Sequence, residues 1–259
     1  MAKDAQRAEA GWLAALELVP PQDAHGHPWT IPALKTLRRL NLHPRVTFLI
    51  GDNGSGKSTL MEGLAMALHL NPEGGSGSLR TNGLGTESML WKHLRPERGS
   101  RGRPRHAYFF RAETMFALFA AAKADVAEMR AAMARGEAGY DTWGSGWLGR
   151  EQRSHGESHF DVFTTQMSDG LYLLDEPESA LSLDRQMSLL TRMHDLCTAG
   201  AQLIVATHSP ILLAYPDSDI WTLDDRGLTR TRYEDCKPYR LMRQFVEHRQ
   251  RIVAELMAD

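Results

Sequence analysis

The chain has 259 residues, 42% of them hydrophobic and 24% charged, with a formal net charge of −2. This composition describes an ordinary globular protein of one domain, or one domain plus a lobe, long enough to bury a core. The near-balanced charge excludes attraction of the whole surface to nucleic acid or anionic lipid, so any such contact needs a local patch.

Residues Met1 to Glu9 include acids, and no apolar stretch long enough for a secretion signal follows them. No window reaches the apolar length of a bilayer span, so the expectation is a cytoplasmic protein without membrane insertion. Trp12 to Val19 fits a strand or a short helix, with strand preferred, and Pro20-Pro21 ends it. Ile31 to Leu42 is mixed, whereas Val46 to Ile50 reads as a buried strand. Leu60, Met61, Leu64, Ala65 and Leu68 have helical spacing and predict a helix over Ser58 to Leu70, stopped by Asn71-Pro72.

Glu73 to Thr86 is a Gly- and Ser-rich loop. Lys92 to Arg105 is the one strongly basic stretch, with six Lys or Arg against Glu97. It is expected as a surface loop, either meeting nucleic-acid phosphates or simply solvated. Ala107 to Phe110 predicts a short strand and Glu113 to Arg135 a helix; Gly139 to Gly149 is a loop carrying Trp143 and Trp147, and Phe160 to Met167 is expected as helix. Leu171 to Leu174 predicts a buried strand, Leu181 to Leu196 a helix, and Gln202 to Ala206 another buried strand. Asp217, Asp219, Asp224 and Asp225 fall in a loop-rich stretch without a metal-binding pattern. The closing segment, 238–257, predicts an amphipathic helix that packs through Leu241, Met242, Phe245, Val246, Ile252, Val253 and Leu256. Strands alternating with helices imply an α/β fold with a mostly parallel sheet, taken as a single domain over 1–259. Cys197 and Cys236 have neither CxxC nor Cys/His spacing and read as reduced structural thiols.

The segment Gly51-Asp52-Asn53-Gly54-Ser55-Gly56-Lys57-Ser58-Thr59 follows the strand Val46 to Ile50 and precedes a helix. That is the setting of a phosphate-binding P-loop, in which backbone N–H groups wrap phosphate oxygens at a helix N-terminus. Asn53, Gly54, Ser55, Gly56 and Thr59 belong to the cradle, Lys57 brings charge to the β- and γ-phosphates, and the Ser58 hydroxyl can ligate Mg²⁺. The expected ligands are therefore a nucleoside triphosphate and Mg²⁺.

Leu171 to Leu174 ends in Asp175-Glu176, two carboxylates on a buried strand, with Asp175 suited to the metal and Glu176 to the attacking water. Leu203 to Ala206 ends in Thr207-His208-Ser209, which places an imidazole at the strand edge where open α/β sheets bind ligands. His208 there can orient the water and donate to the γ-phosphate. For the adenine, Trp29 or Arg38 are the candidates, neither within a motif.

With Arg153-Ser154-His155-Gly156-Glu157-Ser158 between the P-loop and Asp175, the chain resembles the ATP-binding-cassette ATPases over about Leu49 to Pro210. Ser154, Gly156 and Glu157 take the serine, second-glycine and glutamine places of the signature, with Arg153 and His155 as departures. Ser179-Ala180-Leu181-Ser182 resembles the D-loop and His208 the switch histidine. At the family's Q-loop glutamine stands Glu113, with Arg111 as the alternative; a carboxylate there can reach Mg²⁺ or its water. The resemblance implies a helical lobe over 111–160 carrying the signature. It also implies an ATP-dependent homodimer in which Ser154 to Glu157 of one copy complete the site of the other. Within the family, Asp-Glu-Pro-Glu-Ser-Ala-Leu-Ser and Ala-Thr-His-Ser-Pro are similar to stand-alone bacterial ATPases related to the chromosome-maintenance, recombination-repair and overcoming-lysogenization-defect groups. The expected function is Mg²⁺-dependent ATP hydrolysis as a switch in DNA maintenance or phage defence, with DNA as a partner. The alternatives are the nucleotide-binding subunit of a transporter and an ATP-gated regulator of a separate effector protein.

Overall fold

The computed structural model describes residues 11–72, 74, 89–112, 167–179 and 181–258. Its order is β1 (Leu13–Leu18), α1 (Pro32–Thr36), β2 (Arg39–Asn41), β3 (Val46–Ile50), α2 (Lys57–Ala67), a 3₁₀ turn (Met89–His93) and β4 (Leu94–Arg98). There follow β5 (Ala107–Arg111), β6 (Leu171–Asp175), α3 (Leu183–Thr198), β7 (Gln202–Ala206), α4 (Pro210–Leu213), β8 (Ser218–Asp224), β9 (Gly227–Thr231) and α5 (Lys237–Leu256). The main sheet has the order β5-β6-β7-β3-β8-β9, parallel except for the antiparallel β8–β9 edge, and a second antiparallel sheet has the order β2-β1-β4. A mainly parallel six-stranded sheet flanked by helices is the architecture of a P-loop NTPase, as the alternating elements imply.

Alternation along the central strands builds two cores, because successive side chains leave a strand on opposite faces. Leu49, Leu171, Leu173, Ile204 and Ala206 join α2 and the small sheet on one face. Phe48, Ile50, Tyr172, Leu174, Leu203 and Val205 join α3 and α4 on the other. Strands buried on both faces need nearly continuous apolar runs, which is why β3, β6 and β7 stand out in the sequence.

Three expectations are corrected. The basic run Lys92 to Arg105 is not one surface loop: Leu94 to Arg98 pairs with β1, and Arg39 bridges Glu17 at 2.7 Å and Glu97 at 2.6 Å across that sheet. Arg101 lies 4.3 Å over the Trp12 ring and donates to the Gly200 carbonyl, so one of its cations is committed to the fold. The stretch around Asp217 to Asp225 is a β-hairpin rather than loop: Asp219 pairs with Arg230, and Asp224 with Arg226 at 3.1 Å. Finally, α5 does not bury its apolar row; Leu241, Met242, Phe245 and Val246 are exposed. The loop expected at Glu73 to Thr86 falls outside the described residues save Gly74, and so does the lobe over 111–160 from residue 113 onward.

Cys197 and Cys236 are buried, free thiols, and burial pushes both up to about 11. At pH 8 both are expected to stay unreactive toward a colorimetric disulfide reagent until denaturant is added, since the thiolate is the reacting form. Rapid labelling of the folded protein would contradict this.

Candidate functional site

Residues 51–56 connect β3 to α2 and are wedged between α1 and β8. An added Cβ at Gly51 would lie 2.4 Å from the Leu223 carbonyl oxygen. Gly56, the N-cap of α2, has φ 99°, and a Cβ there would meet Ile31 Cγ2 at 2.8 Å, so both places demand glycine. Asn53 and Gly54 are exposed at the crest of the loop, and Ser58 and Thr59 are partly buried on the first turn of α2. Ser55 Oγ is buried and has no hydrogen-bond partner among the described residues.

Lys57 is 4% exposed, and its ammonium donates to the carbonyls of Gly51 at 2.9 Å and Asp52 at 3.2 Å. Burial holds it below the usual lysine range, against the pull of Glu176, Asp175, Asp52 and Glu178. Phosphate oxygens offer this ammonium stronger, charge-assisted acceptors than two loop carbonyls.

The sheet order puts β7 between the P-loop strand and β6, so the ends of β3, β7 and β6 converge on one edge. Asp175, 4% exposed at the end of β6, accepts from Ser58 Oγ at 3.3 Å. Glu176 is held at φ 50°, left-handed for a non-glycine residue, by its N–H to the Ala206 carbonyl (2.9 Å). Two donors from Ser179, N–H at 3.1 Å and Oγ at 2.8 Å, reach its own carbonyl. Such strain costs about 1–3 kcal/mol and persists where the surroundings over-determine it. Glu176 Oε1 lies 3.5 Å from His208 Nε2, which is buried and otherwise without a hydrogen-bond partner among the described residues.

Two residues that the sequence did not single out aim this pair. Glu178 Oε1 accepts from the His208 N–H at 2.6 Å. Gln186 on α3 accepts from Ser209 Oγ at 2.7 Å, while that same oxygen caps α4 by accepting from the N–H groups of Ile211 and Leu212. Glu178 is the second acid of Asp-Glu-Pro-Glu, so its signal was present; Gln186 has none outside the tertiary structure.

Arg111 pairs in register with Asp175 and lies 3.3 Å from Glu62 on α2. Glu113, Ser154, Gly156 and Glu157 lie outside the described residues. Trp29 does not serve as a free base-stacking surface: it is 8% exposed in the core, edge-on to His93 at 5.2 Å. The Arg38 guanidinium donates to the carbonyls of Lys35 and Leu37. On the hairpin side of the P-loop, a cleft of about 890 Å³ is lined by Gly51 to Ser55, His208, the β8–β9 turn, Lys237 and the apolar residues of α5.

The fold is that of a P-loop NTPase, and lysine, hydroxyl, paired carboxylates and imidazole converge on one edge of its sheet. Two family models match the chain. One, described as "AAA domain, putative AbiEii toxin, Type IV TA system", covers residues 151–214, and the other, described as "AAA domain", covers 34–92. Each spans less than half of the chain; between them they take in the P-loop, Asp175-Glu176 and His208, and they support an ATP-binding ATPase. No curated protein matches the chain. No helix among the described residues is long and apolar enough to cross a membrane.

Proposed function

We propose that the chain is a Mg²⁺-dependent ATPase of ATP-binding-cassette type that closes as a dimer around ATP. It would act as a cytoplasmic switch in DNA maintenance or phage defence. The observation that carries the ATPase reading is the placement of Glu176 beside His208 on the edge where Ser58 meets Asp175. The residues fit the ligands: a Cβ added at Gly54 would meet nothing within 4 Å, Ser55 Oγ and His208 Nε2 are buried polar atoms without a hydrogen-bond partner among the described residues, and Ser58 with Asp175 is a hard oxygen pair. Mg²⁺ usually takes one or two protein oxygens and completes its shell with phosphate and water. When bound it neutralises charge on the transferring phosphoryl group, and Ser58 and Asp175 would hold it.

In this mechanism the loop N–H groups bind the phosphates, and Lys57 leaves the Gly51 and Asp52 carbonyls for the β- and γ-oxygens. Glu176 accepts the proton of the attacking water, while His208 orients that water and donates to the γ-phosphate. Ser154, Gly156 and Glu157 of a second copy would add hydroxyl and amide donors to the same phosphate, and Glu113 at the Q-loop place, with Arg111 as the alternative, would reach Mg²⁺ or its water. Lys57→Ala is expected to weaken ATP affinity by at least about tenfold, since a charge-assisted phosphate contact is lost. Calorimetric titration showing unchanged affinity would contradict the assignment.

The toxin–antitoxin wording of one matched model favours a switch coupled to an effector over a transporter subunit. DNA remains a partner through Lys92, Arg95, Arg98, Arg103 and Arg105, which are exposed although Arg101 is not free. Hydrolysis measured with and without double-stranded DNA separates these readings. Stimulation that fades as salt rises supports the DNA-linked switch, because phosphate contacts release counterions. Activity indifferent to DNA, with a soluble protein co-purifying in fixed ratio, supports the effector-gating alternative.

A further inference from the structure

Lys237 is the first residue of α5, yet its ammonium reaches the P-loop. It lies 2.6 Å from Oδ1 and 2.7 Å from Oδ2 of Asp52, a two-oxygen grip on the second residue of the phosphate cradle. Helix physics does not explain a lysine there, since the N-terminal end of a helix repels cations and attracts anions. Cys236, the N-cap, supplies no side-chain capping hydrogen bond, so α5 begins without a local cap and against a carboxylate from the loop. The pair is 64% and 73% exposed, and exposed ion pairs add little to stability. Its consequence lies in where the charges stand.

Asp52 puts a negative charge beside the place where a triphosphate is to bind. Its backbone is already committed to the cradle, because its carbonyl accepts from Lys57 Nζ at 3.2 Å and from the Ser55 N–H at 3.1 Å. The Lys237 contact holds the Asp52 carboxyl below its usual range, so the group beside the phosphate place is a charged carboxylate. Resting on the P-loop reading above, we propose that Lys237 is a positioning residue of the nucleotide site. It neutralises Asp52 beside the phosphates and fastens α5 to the loop.

The test is the affinity of the full chain for MgATP by calorimetric titration, with thermal melting as the check that each variant is folded. Lys237→Ala leaves Asp52 unpaired and is expected to weaken binding by about three- to tenfold at low salt, the range of a partly screened charge contact. Lys237→Arg is expected to bind like wild type, and Asp52→Asn no worse than wild type. Adding Asp52→Asn to Lys237→Ala restores affinity, and the penalty of the single variant shrinks as salt rises. A loss that Asp52→Asn fails to rescue means that Lys237 only docks the helix, and it overturns the proposal, as does affinity in Lys237→Ala within twofold of wild type. Wild-type protein that binds no nucleotide overturns the P-loop reading and this proposal together.

Discussion

Glu176→Gln is expected to lower the steady-state rate of ATP hydrolysis by at least about 10²-fold while leaving ATP affinity near that of wild type, because the amide cannot take the proton of the attacking water. The substitution is nearly isosteric. The backbone contacts that hold Glu176 at φ 50°, its N–H to Ala206 and the two donors from Ser179 to its carbonyl, do not depend on the carboxylate. What changes is the atom 3.5 Å from His208 Nε2, where proton transfer is required. If two copies close on ATP, this variant should accumulate as the closed dimer, seen as a doubling of molar mass by light scattering with MgATP. A variant that hydrolyses at the wild-type rate would remove Glu176 from the chemistry, and one that stays monomeric would remove the dimer from the mechanism.

The second large effect is on stability. Gln202, at the start of β7, is 0% exposed and joins four backbone groups. Its Oε1 accepts from the N–H groups of Trp12 at 2.9 Å and Leu13 at 2.8 Å, and its Nε2 donates to the carbonyls of Leu13 at 2.8 Å and His43 at 2.9 Å. This one side chain stitches the first strand of the small sheet to the main sheet. Gln202→Leu keeps the volume but orphans buried backbone donors and acceptors, at about 1–3 kcal/mol for each group left without a partner. Some regain water or shift, so the expected loss is roughly 3–5 kcal/mol, a large share of the stability of a typical domain. Urea unfolding should show a lower midpoint with an unchanged slope; a loss under about 1 kcal/mol would mean that the two sheets are held elsewhere.

The sequence was most legible where burial was most complete. β3, β6 and β7 are all-buried strands with Gly51, Asp175 and Thr207-His208 at or just after their ends, so the apolar runs marked both the sheet and the edge where these residues meet. β4 was hidden because Arg95 and Glu97 face outward on an edge, and their charge resembled a solvated loop. β8 was hidden for a related reason: its Asp219 is neutralised by Arg230 across the hairpin, a pairing that only the fold reveals. The periodicity of α5 correctly indicated a helix but not what its apolar row touches, since a moment reports a face and not a partner. At the site, motif and order anticipated that Lys57, Ser58, Asp175, Glu176 and His208 would lie together on one sheet edge, which is where the fold places them. Glu62, Gln186 and Lys237 were not, because each arrives from a helix whose local sequence gives no reason for it.

Phosphate release from ATP by the wild-type protein, measured with Mg²⁺ and again with excess chelator, tests the central claim most directly, with Lys57→Ala run alongside. Turnover is expected to require Mg²⁺ and to be lost in Lys57→Ala. Turnover that survives both chelation and loss of Lys57, or a folded wild-type protein that neither binds nor hydrolyses ATP, would contradict it.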